Sequence, residues 1–197
     1  MVTMVVHESQ TRMHAASSES APRPALAALW SAAAAVPDPE VPVLSVTDLG
    51  ILRGIEWDSH DPELVAVTVT PTYSGCPATE AINAALRQAL VAAGAQRVRI
   101  ETHLSPAWTT DWITADGRRK LAEFGIAPPA PGTRSPGAAI VDVSRLRRHD
   151  RASADTIPCP RCGSVQTELL SQFGSTACKA HYRCLDCLEP FDYFKPH

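Results

Sequence analysis

Two Cys-x-x-Cys pairs near the C-terminus constrain this chain more than any other feature. They are Cys159-Pro-Arg-Cys162-Gly163 and Cys184-Leu-Asp-Cys187, with residues 163–183 between them. A Cys-x-x-Cys turn brings two thiolates to one side of an ion. Two such turns supply the four corners of a tetrahedron, which is the geometry Zn2+ prefers. Gly163 allows the positive φ that turns backbone N–H groups towards sulfur. A segment of about forty residues cannot bury enough apolar surface to fold alone, so a metal explains how this one folds. Redox disulfides and bound iron are the rival readings of the same spacing. Val165–Ser171, Ala177–Arg183 and Pro190–Phe194 read as the strands of the module. Cys178 and His181 fall among them and could displace a ligand, but a fifth ligand is not needed, and each reads better as a packed or exposed strand residue.

The rest of the chain reads as one further domain. Its 197 residues suffice for a domain plus a small module. The net charge of −3 gives no overall attraction to nucleic acid or to an anionic membrane. The four arginines Arg145, Arg147, Arg148 and Arg151 read as part of a solvated tether. Residues 1–21 lack the apolar stretch of a signal peptide, and the apolar run Ala25–Val36 is too short to span a bilayer. The expected location is the cytoplasm, where thiols stay reduced.

Residues 1–22 read as a disordered leader and 23–126 as the main domain. Pro24–Ala35 is a short helix ended by the prolines of Val36-Pro37-Asp38-Pro39-Glu40-Val41-Pro42. Ile51–Trp57 and Leu64–Thr70 are β-branched strands joined by the turn Ser59–Pro62, and so form a hairpin. Pro77–Ala93 carries one apolar stripe and ends at Gly94, the surest helix of the chain. Arg97–Leu104 alternates as a strand, and a shorter helix runs from Thr114 or Asp116 to Phe124. Residues 127–157, rich in Pro, Gly and Arg, read as a linker with one candidate edge strand at Ala138–Val143, and 158–197 as the ribbon module. The fold class is α+β: a small two-layer α/β domain with a mixed sheet, plus a C-terminal zinc ribbon.

Cys76 stands in Thr70-Pro-Thr-Tyr-Ser-Gly-Cys76-Pro77, between a strand and the surest helix. A helix N-terminus stabilises a thiolate, so Cys76 is a candidate nucleophile or iron ligand. It reads equally well as a small buried cysteine. Asp38-Pro39-Glu40 presents two carboxylates rigidly or is ordinary turn chemistry, and Gly50 of Asp48-Leu49-Gly50 supplies a positive φ. Trp108 and Trp112 read as a contact surface or as core. His60 and His103 show no catalytic pairing.

Together, Asp38-Pro39-Glu40-Val41-Pro42, Asp48-Leu49-Gly50-Ile51 and the Thr-rich strand into Gly75-Cys76-Pro77 resemble the small domain of MIP18-like iron–sulfur assembly factors. The tail, with Phe173-Gly-Ser-Thr-Ala-Cys178-Lys179-Ala and Glu189-Pro-Phe-Asp-Tyr-Phe194, resembles the PaaD (PaaJ) subunit family of the phenylacetyl-CoA 1,2-epoxidase system. The resemblance implies an accessory protein of aerobic phenylacetate degradation. That protein would help insert an iron–sulfur cluster, and its client would be a reductase that carries flavin and a 2Fe–2S centre. Cys76 would be the thiolate that handles the cluster, supported by Asp38, Glu40, Asp48 and Thr70. Cys159, Cys162, Cys184 and Cys187 would hold Zn2+. The partners implied are the reductase and the oxygenase components. A homodimer is an open option, because one thiol cannot complete a cluster that takes four ligands. Where family members end in Tyr-Phe-Lys-Cys, this chain has Pro196. Three other readings stand beside this one: a non-catalytic structural or regulatory subunit, a thiol enzyme lacking a legible base, and a nucleic-acid ribbon that the acidic composition disfavours.

Overall fold

The computed structural model describes residues 23–130, 132 and 157–196. The expected leader, the bulk of the expected linker and the candidate edge strand Ala138–Val143 lie outside the described residues. The elements in chain order are α1 (Leu26–Ala34), β1 (Leu52–Trp57), β2 (Leu64–Val69), α2 (Ala78–Ala92), β3 (Arg97–Thr102), a 3-10 turn at Thr110–Trp112, α3 (Ala115–Phe124), β4 (Ile126–Ala127), β5 (Thr167–Ser171), β6 (Lys179–Cys184) and β7 (Pro190–Phe194).

The first sheet has the order β1-β2-β3. β1 is antiparallel to β2, and β2 is parallel to β3, which makes the expected mixed sheet. Parallel neighbours need a crossover, and α2 provides it. Val65, Val67 and Val69 of the central strand are buried. α2 buries Ala78, Ile82, Leu86 and Leu90, four residues apart, so one stripe of the helix covers the sheet. α1 buries Leu29 and Ala33 and packs on α2 and β1.

The Asp48-Leu49-Gly50 turn joins this layer to α3. Gly50 has φ +68°, and a Cβ there would lie 2.7 Å from the Cβ of Trp112, so both backbone and space require glycine. Asp48 takes hydrogen bonds from the Ser45 backbone N–H (2.9 Å) and hydroxyl (2.9 Å) and from Lys120 Nζ (2.8 Å). Its carbonyl accepts the Thr114 N–H at 2.9 Å, and Thr114 in turn caps α3 through Gly117 N–H at 2.9 Å.

The second sheet has the order β4-β7-β6-β5. Strands β5 to β7 are the antiparallel ribbon the sequence predicts, but β4 is a strand of the first domain. It runs parallel to β7, with Ile126 opposite Asp192 and Ala127 opposite Tyr193. The sequence boundary placed Ala127 in the linker, whereas here it forms a sheet with the ribbon. Two residues are too short to show a strand pattern, and their pairing covers what would otherwise be an open edge of β7. The ribbon also reaches into the main core. Phe194 and Cys178 belong to the same buried cluster as Leu29, Leu49 and Leu86, and the Phe194 ring lies 6.3 Å from Trp108. A smaller cluster of Ile157, Cys159, Cys184, Phe191 and Tyr193 fills the ribbon itself. Lys179, only 5% exposed, is neutralised by Asp192 at 3.1 Å, which satisfies the need for a buried charge to be paired. Among the described residues no helix is long and apolar enough to cross a membrane.

Replacing Phe194 by Ala empties a fully packed site and is expected to cost about 3–5 kcal/mol. Because Phe194 belongs to the core of the first domain, urea denaturation should show the whole protein, not the ribbon alone, shifting to a lower midpoint.

Candidate functional site

The four expected ligand cysteines converge. The Sγ atoms of Cys159, Cys162, Cys184 and Cys187 all lie within 4.8 Å of one another. Cys159 and Cys187 are 3.8 Å apart, and Cys162 and Cys184 are 3.6 Å apart. A tetrahedron with metal–sulfur bonds of about 2.3 Å has edges of about 3.8 Å, so the thiols stand where a four-sulfur ion needs them. The first loop closes by Gly163 N–H to Cys159 O (2.9 Å) and Cys159 N–H to Ser164 O (2.8 Å), with Gly163 at φ +75° as expected. Within the tetrad the backbone N–H groups of Cys187 and Asp186 pull the Cys184 thiol down to about 7, while against the pull of the Glu189 N–H, burial and the neighbouring thiols push Cys187 up to about 12. The tetrad is thus a metal-binding centre. Neither Cys178 nor His181 joins it: His181 Nδ1 sits 3.2 Å from Asp192 Oδ1, as a half-exposed strand residue.

The second site is a cavity of about 20 Å³ where the two modules meet. Cys76, Asp38, Glu40 and Thr72 line it from the first domain, and Cys178 and Phe194 from the ribbon. The thiol of Cys76 is partly exposed. Its residue lies just ahead of Pro77, and its carbonyl accepts the Thr79 N–H at 3.2 Å, so it does sit at the start of α2. Cys178 is buried. Its Sγ lies 3.0 Å from the Thr176 hydroxyl and donates to Glu40 Oε2 at 3.7 Å. Burial pushes the Cys178 thiol up to about 11, so it is protonated at neutral pH. Burial first, and then its neighbours Cys76, Glu40 and Cys178, push the Tyr73 hydroxyl up to about 12.

The supporting residues divide into two kinds. Glu40 faces the cavity. Asp38 also lines it, but its Oδ1 is committed to the N–H groups of Glu40 (2.9 Å) and Val41 (2.8 Å). Burial pushes the Asp38 carboxyl up, and those two N–H groups and Lys179 oppose the rise. Asp48 is a clamp on α3 and does not line the cavity. Thr70 is buried at the end of β2, gives its N–H to Ile51 O at 2.9 Å, and lines a neighbouring cleft. His60 and His103 do not line the cavity either. Trp108 is core, donating Nε1–H to Leu49 O at 2.7 Å, and Trp112 is covered by the Arg53 guanidinium at 3.7 Å. Cys178 is packed, one of the two options the sequence reading preferred for it; that it faces this cavity is what that reading missed. The signal was arithmetic: four thiols complete a tetrahedral ion, which leaves Cys178 without a task in the ribbon.

Comparison with known proteins gives this arrangement a class. Residues 26–102 match the family described as iron–sulfur cluster assembly protein, and residues 144–195 match the PaaD zinc beta ribbon domain. The chain is therefore an iron–sulfur-assembly-type domain joined to a metal ribbon. A protein of Escherichia coli (strain K12), provisionally named as one of the subunits of 1,2-phenylacetyl-CoA epoxidase, is 47% identical over 167 residues, which span 85% of this chain and 90% of that one. This chain belongs to the PaaD family. Among solved structures, a conserved hypothetical protein of Thermotoga maritima is 27% identical, with a TM-score of 0.41, over 48% of this chain and 91% of that one. A Mycobacterium tuberculosis protein described as associated with Fe–S complex assembly and repair is 36% identical, with a TM-score of 0.32, over 55% and 93%.

The Asp48 clamp has a testable pH signature. Burial raises the Asp48 carboxyl, but the Lys120 ammonium and the Ser45 N–H and hydroxyl outweigh it and hold the group below the usual range. A depressed folded-state value stabilises the fold above the unfolded value of about 3.9, and that stabilisation is lost as pH falls through the folded value. Asp48→Asn should therefore lower stability by about 1–3 kcal/mol at pH 7, with the difference from wild type shrinking towards pH 3. Urea midpoints at the two pH values check this.

Proposed function

We propose that this chain is an accessory maturation factor of the phenylacetyl-CoA 1,2-epoxidase system in aerobic phenylacetate degradation. It assists insertion of an iron–sulfur cluster into the reductase component, acts in the cytoplasm and catalyses no step of the epoxidation itself. The observation that carries this reading is the placement of Cys76. A partly exposed thiol stands at a helix start on the wall of a cavity, inside the stretch that matches the assembly family. The cavity walls hold acids and thiols but, among the described residues, no imidazole, so Cys76 is better provided for holding a metal species than for nucleophilic catalysis. Asp38 and Asp48 support the loops around it.

The ribbon tetrad holds Zn2+, through Cys159, Cys162, Cys184 and Cys187. Bound zinc would supply no redox chemistry there and would act as a structural tie. Its effect passes through β7: a closed ribbon keeps Phe194 in the core and Cys178 on the cavity wall. Metal analysis of the purified protein is expected to return one zinc per chain, lost in Cys184→Ser. Iron in place of that zinc, lost likewise in Cys184→Ser, would overturn the assignment.

The E. coli relative's name as part of the epoxidase favours a second reading, a structural or regulatory subunit in which Cys76 is merely packed. Stable stoichiometric co-purification with the oxygenase components would mark it. The maturation reading is tested by the 2Fe–2S content per flavin of the reductase, produced with wild type, with Cys76→Ser and without this protein. Cys76→Ser should fold and load zinc yet leave the reductase as empty as the deletion does. Equal cluster content in all three would sink it.

A further inference from the structure

The six cysteines of the chain separate into two groups. Four form the ribbon tetrad. The other two, Cys76 and Cys178, are 102 positions apart in sequence yet line one cavity. Cys178 is not simply a core residue of convenient size. A packing role would be met by an apolar side chain, whereas Cys178 Sγ is held at 3.0 Å by the Thr176 hydroxyl and reaches the Glu40 carboxylate at 3.7 Å. The loop before it is pinned to present it: Gly174 N–H donates to Lys179 O (2.8 Å), Lys179 N–H to Thr176 O (3.1 Å) and Lys195 N–H to the Cys178 carbonyl (2.9 Å).

A second, independent observation comes from α2. Asn83 also lines the cavity, and its Oδ1 is buried with no hydrogen-bond partner. A buried acceptor left without a protein partner calls for an occupant, a water or an ion. The space decides what kind. About 20 Å³ holds roughly one water-sized particle, a space that suits a single ion. Two thiols and a carboxylate select a thiophilic divalent cation over Mg2+ or Ca2+.

We propose that Cys76 and Cys178, from the two modules, together with Glu40, bind a single thiophilic divalent cation of the iron(II) kind. The proposal rests on the maturation reading, for which such an ion is the raw material. On binding, each thiol forms a metal–sulfur bond and releases its proton to solvent. One M2+ and two thiols thus give a dithiolate complex and two protons, Glu40 adds an oxygen ligand, and no electron is transferred. Cys178 and Glu40 are already in contact at 3.7 Å, whereas the Cys76 thiol is not clustered with them and has to close in for the ion to be held.

The test titrates cobalt(II), whose thiolate complexes absorb strongly, into the anaerobic full-length protein with zinc in the ribbon. Zinc content is measured throughout. Wild type should take up one further equivalent with a thiolate-to-cobalt band while retaining its zinc. Cys76→Ser and Cys178→Ser should each weaken that second site by about tenfold or more, since even the loss of an outer partner costs 10–100-fold. Glu40→Gln should weaken it without removing the band. Wild type that binds no second equivalent overturns the proposal whether or not the variants fold, as does Cys178→Ser with wild-type band and affinity. The reductase assay separates this from the broader reading. If Cys178→Ser fills the reductase like wild type while Cys76→Ser does not, maturation stands and the two-thiol site falls. If the reductase fills equally well without this protein, maturation falls and the cobalt titration judges the site alone.

Discussion

The packing of Phe194 against Trp108 is the contact on which the rest of the architecture depends. Phe194 ends β7, the last strand of the ribbon, yet is buried with Leu29, Leu49 and Leu86 of the first domain. A ribbon of this size has little core of its own, and its cluster around Cys184, Phe191 and Tyr193 is small. Burying one aromatic ring in a neighbouring core gives such a module an anchor beyond its own packing. The two-residue strand β4 adds a backbone contact along the same edge. The ribbon is thus not a tethered appendage but one wall of the assembly-type domain.

That joint sets the chemistry of the cavity. With Phe194 in place, Cys178 sits next to Glu40, and the first domain's Cys76 gains a second thiol as neighbour. The acidic motif that looks uniform in sequence then divides by geometry. Asp38 ties down its own loop through two N–H groups, Asp48 binds α3 through Lys120, and only Glu40 has a carboxylate in contact with a thiol. The tetrad closes the β6–β7 pair at its Cys184 end, and the opposite end of the same pair carries Cys178 and Phe194 side by side.

Much of this was legible in the sequence because it is local. The stripe Ala78-Ile82-Leu86-Leu90 dictates α2, the β-branched run Leu64–Val69 dictates β2, and the spacing of Cys159, Cys162, Cys184 and Cys187 dictates a tetrad. Gly50 and Gly163 take the positive φ their positions imply. What the sequence hid is non-local. No periodicity reveals that Ile126-Ala127 pairs with Asp192-Tyr193 across more than sixty positions, or that Lys179, a residue type that normally seeks water, is buried against Asp192. Cys178 was visible only as a surplus thiol; its proximity to Glu40 needs the fold. Thr70 and Asp48 were marked by motif, and the structure uses them for backbone pairing and clamping, away from the cavity.

The central claim is that the metal-closed ribbon builds and shields the cavity of Cys76. Residue-resolved alkylation, read by mass spectrometry on the zinc-loaded protein and again after chelation, tests it most directly. The account predicts that Cys178 is protected in the loaded protein, and that removing the metal speeds modification of Cys178 and Cys76 together. Cys178 that reacts as fast with the ribbon loaded as with it stripped would contradict the account.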